Sequence, residues 1–240
     1  MSAPHFFVDH LDEGDASLSE VDSRHALRSL RLRPGDEVSL ADGRGAVARG
    51  FISAEREGLA VVRVEAVSRV VRPGPVISVA LAPPKGDRLS WAIQKLGELG
   101  VDEVVLIHTA RSVREVRPGR AEQAVARLRA VAREAAMQSR QPFIMEVAAG
   151  ASFEDCLATG GAPAIMLAQA GQPGLRSLIP GEAGGVRILI GPEGGWAGEE
   201  LNAAGAAGAA LWSLGASVLR TETAAVVGAA LVLAHFGRLG

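Results

Sequence analysis

The sequence predicts an α/β protein of two domains: a small N-terminal β-barrel and a C-terminal domain built on a mostly parallel sheet. Up to residue 72, short runs alternate between apolar and polar residues and are separated by turn signals, which is typical of antiparallel strands. After residue 73, apolar runs alternate with helical patterns, which is typical of a parallel sheet with helices on both faces. The segment Arg72-Pro73-Gly74-Pro75 predicts a linker, so we expect domains at 1–72 and 73–240.

In the first domain, strands are predicted at 6–8, 36–52 and 58–67. The middle run contains a hairpin turn at Asp42-Gly43-Arg44-Gly45, because glycine readily adopts the positive φ that such turns require. This turn also matches part of the dinucleotide-binding fingerprint, but that fingerprint needs a helix where a strand is predicted here. Between the first two strands, 23–36 is predicted to be a short helical stretch that ends at Pro34-Gly35.

The second domain is predicted to alternate strands and helices. The strands are expected at 76–81, 103–107, 163–168, 186–190 and 210–214, and the helices at about 87–100, 121–139, 198–207 and 222–236. Ligands of open α/β sheets bind at the carboxyl ends of the strands. We therefore expect the active site at the loops that follow the last two strands.

Composition limits the classes of function. The formal net charge of −2 does not indicate a nucleic-acid binder, so any basic surface must be local. Cys156 is the only cysteine, which excludes an intrachain disulfide and a cysteine metal cluster, and the five histidines show no ligand spacing. The N-terminus lacks a signal-peptide pattern, and the longest apolar run is about half of the ~20 residues that cross a bilayer. A soluble, cytoplasmic protein without a bound metal is expected.

The loop Gly191-Pro192-Glu193-Gly194-Gly195 is the first functional candidate. Its glycines allow a ligand to approach the backbone closely and to meet exposed N–H and C=O groups. It is neither a Walker loop nor a dinucleotide fingerprint, and no lysine lies nearby to hold a phosphate. The loop therefore favours backbone recognition of a nucleoside, with a simple tight turn as the alternative.

The segment 214–223 is the second candidate, because it joins a strand to an Ala/Val/Leu-rich helix. Thr221 is predicted to cap that helix. Arg220 lies at the junction, where it could hold a phosphate or stabilise a developing anion. The alternative is a structural ion pair between Arg220 and Glu193 or Glu222.

Several basic side chains provide the local positive surfaces that RNA would need, although solvated helix faces are the alternative explanation. Lys85 and Arg88 flank Asp87, a predicted helix N-cap, at the same sheet edge as the two loops. The arginine clusters comprise Arg24, Arg28, Arg31 and Arg33, then Arg111, Arg114, Arg117 and Arg120, and then Arg127, Arg129, Arg133 and Arg140.

The motifs LAPPKGDRLSWAIQKLGELGV, RSV, EAAMQSRQP, LIGPEGGW and LGASVLRTETAA occur in that order. Together they resemble the bacterial 16S ribosomal RNA uridine-N3 methyltransferases of the SPOUT superfamily, over nearly the whole chain. The resemblance implies a PUA-like N-terminal barrel and a C-terminal α/β domain with a trefoil knot. It also implies a homodimer, and S-adenosylmethionine bound by the knot loops.

The resemblance carries over to individual residues. The methyl donor is expected to contact, largely through backbone groups, Leu167, Ile190, Gly191, Glu193, Gly194, Leu214, Gly215, Val218, Leu219 and Thr221. RNA is expected to contact His25, Arg28 and Arg31 in the barrel, and Lys85, Arg88, Arg111, Ser112 and Arg140 in the second domain. Two positions depart from the family pattern: His5 stands where an arginine is usual, and Gln169 stands where a histidine is frequent.

The implied reaction is a direct methyl transfer to N3 of an unpaired uridine in 16S ribosomal RNA, and N3 must lose its proton. Arg220 is expected to stabilise the uridine anion, and either Glu193 or Glu222 to act as the base. One alternative is a SPOUT methyltransferase that acts on a tRNA base or a ribose 2′-hydroxyl. The others are a non-catalytic RNA-binding protein, which the intact loops argue against, and a nucleotide-dependent oxidoreductase, which the missing fingerprint argues against.

Overall fold

The computed structural model describes residues 3–112, 121–158, 162–179 and 183–239. The chain divides into two compact units, one formed by Met1–Arg72 with Ala136–Ile144, and the other by Pro73–Ala135 with Met145–Gly240. The predicted division had assigned 136–144 to the second domain. This stretch belongs to the first unit because Ala136 is buried there against Phe7 and Ala41.

The first unit contains a five-stranded sheet in the order β1-β3-β4-β5-β2. Its strands are β1 His5–Phe7, β2 Gly14–Ser17, β3 Glu37–Ala41, β4 Ala46–Arg56 and β5 Leu59–Arg69. β1 pairs with β3 in parallel, and the remaining pairs are antiparallel. The predicted turn joins β3 to β4, where Gly43 and Gly45 have φ angles of 72° and 105°. Since a strand follows this turn, the partial fingerprint match is excluded as a nucleotide site.

The helical stretch of the first unit ends earlier than predicted. Helix α1, Glu20–Arg24, begins at Ser19, whose hydroxyl accepts a hydrogen bond from the Asp22 N–H at 3.1 Å. It continues into a π-helical turn at His25–Ser29. Arg31 then adopts a left-handed φ of 56°, so the chain leaves the helix before it reaches Pro34.

The second unit contains a six-stranded parallel sheet in the order β11-β9-β10-β6-β7-β8. Its strands are β6 Val76–Leu81, β7 Glu103–His108, β8 Glu146–Ser152, β9 Ala164–Gln172, β10 Gly185–Ile190 and β11 Ala210–Trp212. Edge strand β8 was not predicted. Its residues are mostly small and only Val147 is fully buried, so the strand lacks the apolar run that marks its neighbours.

Helices cover both faces of this sheet, as expected for a parallel sheet. They are α2 Arg88–Leu99, α3 Ala121–Ser139, α4 Phe153–Leu157, α5 Gly198–Ala206 and α6 Thr221–His235, with a 3-10 turn at Leu175–Ser177. Strand β6 shows how the core is divided: Val79 packs with α2 and α6, whereas Ala80 packs on the opposite face near Trp196. None of the helices in the described part of the chain combines the length and the apolar character needed to span a membrane.

Candidate active site

A cavity of about 550 Å³ lies at the carboxyl end of the parallel sheet. Its walls come from the end of β9, from the loop between β10 and α5, and from the loop between β11 and α6. The residues that the resemblance assigns to the methyl donor all line it: Leu167, Ile190, Gly191, Glu193, Gly194, Leu214, Gly215, Val218, Leu219 and Thr221. The two loops that the sequence marked as functional are therefore neighbours in space.

The loop after β10 is shaped by glycine and by one tryptophan. The Gly195 N–H donates a hydrogen bond to the Pro192 oxygen at 2.9 Å and closes a tight turn, in which Gly195 has a φ of 69°. A Cβ atom on Gly191 would lie 2.8 Å from the Trp196 ring. That ring is fixed, because its indole N–H donates to the Leu167 oxygen at 2.8 Å in the buried interior. Only glycine fits at position 191 without movement of this ring.

The loop after β11 is open towards solvent. Gly215 has a φ of 117°, and its N–H donates to the Ser213 hydroxyl at 3.3 Å. The side chain of Val218 is apolar and yet the residue is 79% exposed. The loop therefore offers an apolar surface beside exposed backbone groups, which suits a ligand with a flat apolar part and polar edges.

Thr221 does not cap α6 as predicted. Arg220 takes the N-cap position with an extended backbone and no capping side chain, and Thr221 is the first helical residue. The Thr221 hydroxyl instead donates a hydrogen bond to the Gly191 oxygen at 3.1 Å. This bond ties the start of α6 to the loop after β10, so the threonine joins the two functional loops.

The ionic contacts of the site differ from the predicted ones. Arg88, predicted to bind RNA, lies between two carboxylates, with its guanidinium 3.9 Å from Glu193 Oε1 and 3.6 Å from Glu222 Oε1. Glu193 also accepts a hydrogen bond from the Lys85 backbone N–H at 3.3 Å. The suggested pairing of Arg220 with either glutamate is wrong: Arg220 is exposed and forms no ion pair with the residues described.

Glu222 is placed differently from Glu193. It is 8% exposed, and its Oε2 atom is buried without a hydrogen-bond partner among the described residues. Such an atom is costly to leave unsatisfied, since burial removes its water. Glu193, by contrast, lines the cavity with a side chain that is 30% exposed.

The loop after β7 is fastened to the loop after β10. The Arg111 guanidinium donates to the Gly194 oxygen at 3.0 Å. Ser112, predicted to bind RNA, uses its hydroxyl within the loop: it accepts from the Thr109 N–H at 3.1 Å and lies 2.8 Å from the Thr109 hydroxyl. The predicted cluster members Arg114, Arg117 and Arg120 lie outside the described residues.

Glu200 is a structural residue of the site that the sequence did not suggest. It is 8% exposed, and its two oxygens accept hydrogen bonds from the Ala110 N–H at 2.8 Å and the Ala197 N–H at 2.7 Å. The available signal was its place three residues into helix α5, where a glutamate can bond back to the N-cap backbone. Asp87, in contrast, takes the predicted N-cap position of α2 but forms no capping hydrogen bond through its side chain.

The first unit carries the remaining residues predicted to bind RNA. His25, Arg28, Arg31 and Arg140 are all exposed. The sequence predicted Arg140 to lie in the second domain. It lies in the first unit instead, because 136–144 packs with β1 and β3. Burial lowers the pKa of nearby His5, and the charge of Arg140 lowers it further, against an opposing hydrogen bond with the Gln141 backbone.

Two other kinds of chemistry find no support in the described residues. Within 3–112, 121–158, 162–179 and 183–239, no group of three or more His, Cys, Asp or Glu side chains could hold a metal ion. Cys156 is buried, and this burial raises the pKa of its thiol, which disfavours the reactive thiolate.

The chain is similar to known RNA methyltransferases. Residues 72–233 match the family model of an RNA methyltransferase domain, and residues 18–65 match that of an RNA methyltransferase PUA domain. The chain is 34% identical over 237 residues to the ribosomal RNA small subunit methyltransferase E of Mycobacterium bovis, which covers 95% of this chain and 90% of that protein. The protein of the same name from Synechocystis is 28% identical over 92% of this chain and 73% of its own length.

A solved structure is also similar throughout. A Legionella pneumophila protein, solved as a methyltransferase in complex with the bound cofactor SAM, has a TM-score of 0.87. It shares 25% identity, and the match covers 98% of each chain. The fold described above is therefore the fold of a protein that holds SAM.

Proposed function

This chain belongs to the family of RNA methyltransferases with a PUA domain, and from that premise we propose that it methylates N3 of a uridine in small-subunit ribosomal RNA, with S-adenosylmethionine as the donor. One observation carries the proposal: every residue assigned to the methyl donor lines a single cavity at the carboxyl end of the parallel sheet. Ligands of α/β sheets bind at this position. The name of the mycobacterial relative supports ribosomal RNA of the small subunit as the substrate class.

The cavity fits S-adenosylmethionine in size and in chemistry. A volume of about 550 Å³ is within the range of sites that hold small ligands. The backbone at Gly191, Gly194 and Gly215 offers N–H and C=O groups for the polar edges of the ligand. The exposed Val218 offers an apolar surface for its adenine ring. When bound, S-adenosylmethionine supplies an electrophilic methyl group on a sulfonium.

Arg220 is proposed to stabilise the target base. Uridine N3 carries a proton at neutral pH, and the base becomes anionic when this proton leaves. The Arg220 side chain is exposed beside the cavity-lining residues Leu219 and Thr221 and has no ionic partner among the described residues. Arg220 does not itself line the cavity, but it stands between two residues that do, and we assign its charge to the anion that forms there.

Glu193 is the better placed of the two candidate bases. It lines the cavity and is partly exposed, so a ligand can reach its carboxylate. Glu222 does not line the cavity and is largely buried. We therefore assign proton removal to Glu193. Arg88 is proposed to orient both carboxylates and, with a side chain that is 41% exposed, to contact RNA as well.

The RNA is proposed to contact exposed basic groups on each unit. The first unit offers His25, Arg28, Arg31 and Arg140, and the second offers Lys85 and Arg111. Contacts of this kind, with phosphates, bind RNA without requiring a large positive net charge. The target uridine must be unpaired, because Watson–Crick pairing covers N3.

The resemblance also leads us to propose a barrel in the first unit, a trefoil knot in the second and a homodimer. The path of the chain supports the knot: after β10 it crosses β9 to the edge strand β11 and returns in α6 to pack on β6 and β10.

The first experiment measures methyl transfer. The purified protein is incubated with tritiated S-adenosylmethionine and with small-subunit particles that lack the modification, and the RNA is then digested to nucleosides. Label is expected in 3-methyluridine. Arg220→Ala should lower the rate by about 10²–10³-fold, the effect of removing one group that stabilises a developing anion. Arg176→Ala is the matched control, because Arg176 is an exposed arginine of the same unit and, unlike those of Arg220, its neighbours in sequence do not line the cavity.

Every alternative outcome would contradict a specific claim of the proposal. Label in a different nucleoside would contradict uridine N3 and favour a methyltransferase for another RNA position. Equal rates for the two arginine variants would contradict the role of Arg220. Absence of label, together with absence of S-adenosylmethionine binding in calorimetry, would overturn the methyltransferase and leave an RNA-binding protein.

A further inference from the structure

Glu200 occupies an unusual position for a carboxylate. It is 8% exposed, which is rare for glutamate, and it has no cationic side chain among its bonded partners in the described residues. Its partners are two backbone N–H groups from distant parts of the chain: Ala110, after β7, and Ala197, before α5. Hydrogen bonds to an ionised group are stronger than neutral ones, so this carboxylate is an effective link between the two loops.

A second bond joins the same two loops. Arg111 follows Ala110 directly and donates to the Gly194 oxygen at 3.0 Å, three residues before Ala197. The loop after β7 is also braced internally, because the Ser112 N–H donates to the Thr109 oxygen at 3.0 Å. Within the described residues, 109–112 after β7 and 194–200 after β10 are therefore joined at two points.

We propose that Glu200 is a positioning residue that couples binding of the methyl donor to binding of RNA. The inference rests on the proposed function, because it takes Gly194 as a donor contact and Arg111 as an RNA contact. Arg111 is exposed, and its one side-chain hydrogen bond among the described residues uses a single nitrogen, so four of its five N–H groups are left for a phosphate. Arg111 can thus contact the loop that holds the donor and bind the RNA backbone at the same time.

The coupling has a simple physical cause. A donor that orders the backbone at Gly194 also restricts Arg111, so RNA that binds afterwards loses less conformational freedom. By linkage, RNA must then tighten donor binding by the same factor. Without the Glu200 link, the backbone at Ala110 is released and the neighbouring Arg111 loses its fixed position beside Gly194, so the two ligands bind independently.

The test measures RNA affinity with and without a bound donor analogue. Labelled small-subunit particles are titrated with the protein in the absence and in the presence of saturating S-adenosylhomocysteine. The wild-type chain should bind about fivefold more tightly or better with the analogue present, which is the lower limit of typical coupling between sites. Glu200→Gln should abolish this difference, because its amide places an N–H group opposite one of the two backbone donors.

Glu199→Gln is the matched control, since Glu199 is the neighbouring glutamate of α5 and is exposed. This variant should retain the wild-type coupling. Glu200→Asp, with a carboxylate on a shorter side chain, should recover part of it. In the transfer assay, Glu200→Gln should raise KM for the particles while kcat stays nearly unchanged, a separation that general destabilisation does not produce.

Wild-type coupling in Glu200→Gln, or its absence in the wild-type chain, would overturn the inference. If Glu200→Gln does not fold, Glu200→Asp carries the test: its coupling should be weaker than that of the wild-type chain, whereas Glu199→Asp should keep the wild-type coupling. The proposed function is judged separately by methyl transfer of the wild-type chain, so failure of the coupling and failure of the transfer are distinguishable.

Discussion

The two ends of the parallel sheet differ in how far their charged side chains are paired. At the amino end, Asp102 and Arg238 are 5% and 8% exposed in their side chains and pair at 2.6 Å. At the carboxyl end, Glu222 keeps one buried oxygen without a partner in the described part of the chain, and Arg220 is exposed without an ion pair there. Among the described residues, buried charge is therefore fully satisfied at the amino end of the sheet and only partly satisfied at the carboxyl end.

Asp102 and Arg238 form the amino-end cluster, and backbone groups provide further hydrogen bonds to both side chains. Arg238 also donates to the Pro75 oxygen at 2.8 Å and the Gly100 oxygen at 2.6 Å, and Asp102 Oδ2 accepts from the Ile77 N–H at 2.7 Å. These bonds join the segment after α6 to the starts of β6 and β7. The C-terminal segment is thereby fastened to the sheet on the side away from the active site.

The largest effect is expected from a substitution that disrupts the amino-end cluster. Asp102→Ala leaves a buried guanidinium without its carboxylate, so the free energy of unfolding should fall by about 3–5 kcal/mol. Urea unfolding followed by fluorescence measures this change. Arg220→Ala, at the other end of the sheet, should change the same quantity by less than about 0.5 kcal/mol, as expected for an exposed side chain. Similar losses in the two variants would contradict the contrast between the two ends.

An intermediate effect on stability is expected when two glycines of the loop after β10 are each replaced by alanine. Gly191→Ala should destabilise the protein by about 1–3 kcal/mol, because the new methyl group meets the fixed Trp196 ring. Gly194→Ala places its methyl group 3.5 Å from the Arg111 Cβ atom, an ordinary contact, and should have little effect on stability. Thermal unfolding of the two variants without ligand provides the comparison. A loop that tolerates both changes equally would show that the Trp196 ring can move.

The smallest expected effect concerns His5, a buried histidine of the first unit. Because burial lowers the pKa of folded His5 below 6.5, the unfolded chain binds more protons as the pH falls through 6.5. The free energy of unfolding should therefore decrease from pH 7.5 to 5.5, by at most about 1.4 kcal/mol, because only one pH unit of this range lies below 6.5. His5→Asn should remove this part of the pH dependence, and His10→Asn, at an exposed histidine of the same unit, should not. Urea midpoints at both pH values test this, and equal slopes in the two variants would exclude His5 as the cause.

Much of the fold follows from local pattern. Strand β6 coincides with the predicted 76–81, and helix α3 with 121–139, because long periodic runs specify their own secondary structure. Strand β8 was missed because its small residues gain their strand conformation from pairing with β7. The stretch 136–144 could not be assigned to the first unit either, since helix α3 continues without a break into it.

Within the candidate site, the sequence alone determined which loops matter. The loop 191–195 was identified because it is a glycine-rich turn after a buried strand, and the resemblance assigned Gly191, Gly194 and Gly215 to the methyl donor; the three residues line one cavity. Only the tertiary structure decided the partners of the side chains. Arg88 lies beside Glu193 and Glu222, and Glu200 binds the backbone of Ala110, 90 positions away in the chain. Such contacts arise only when the strands assemble, because local periodicity holds no information about which distant side chains will meet.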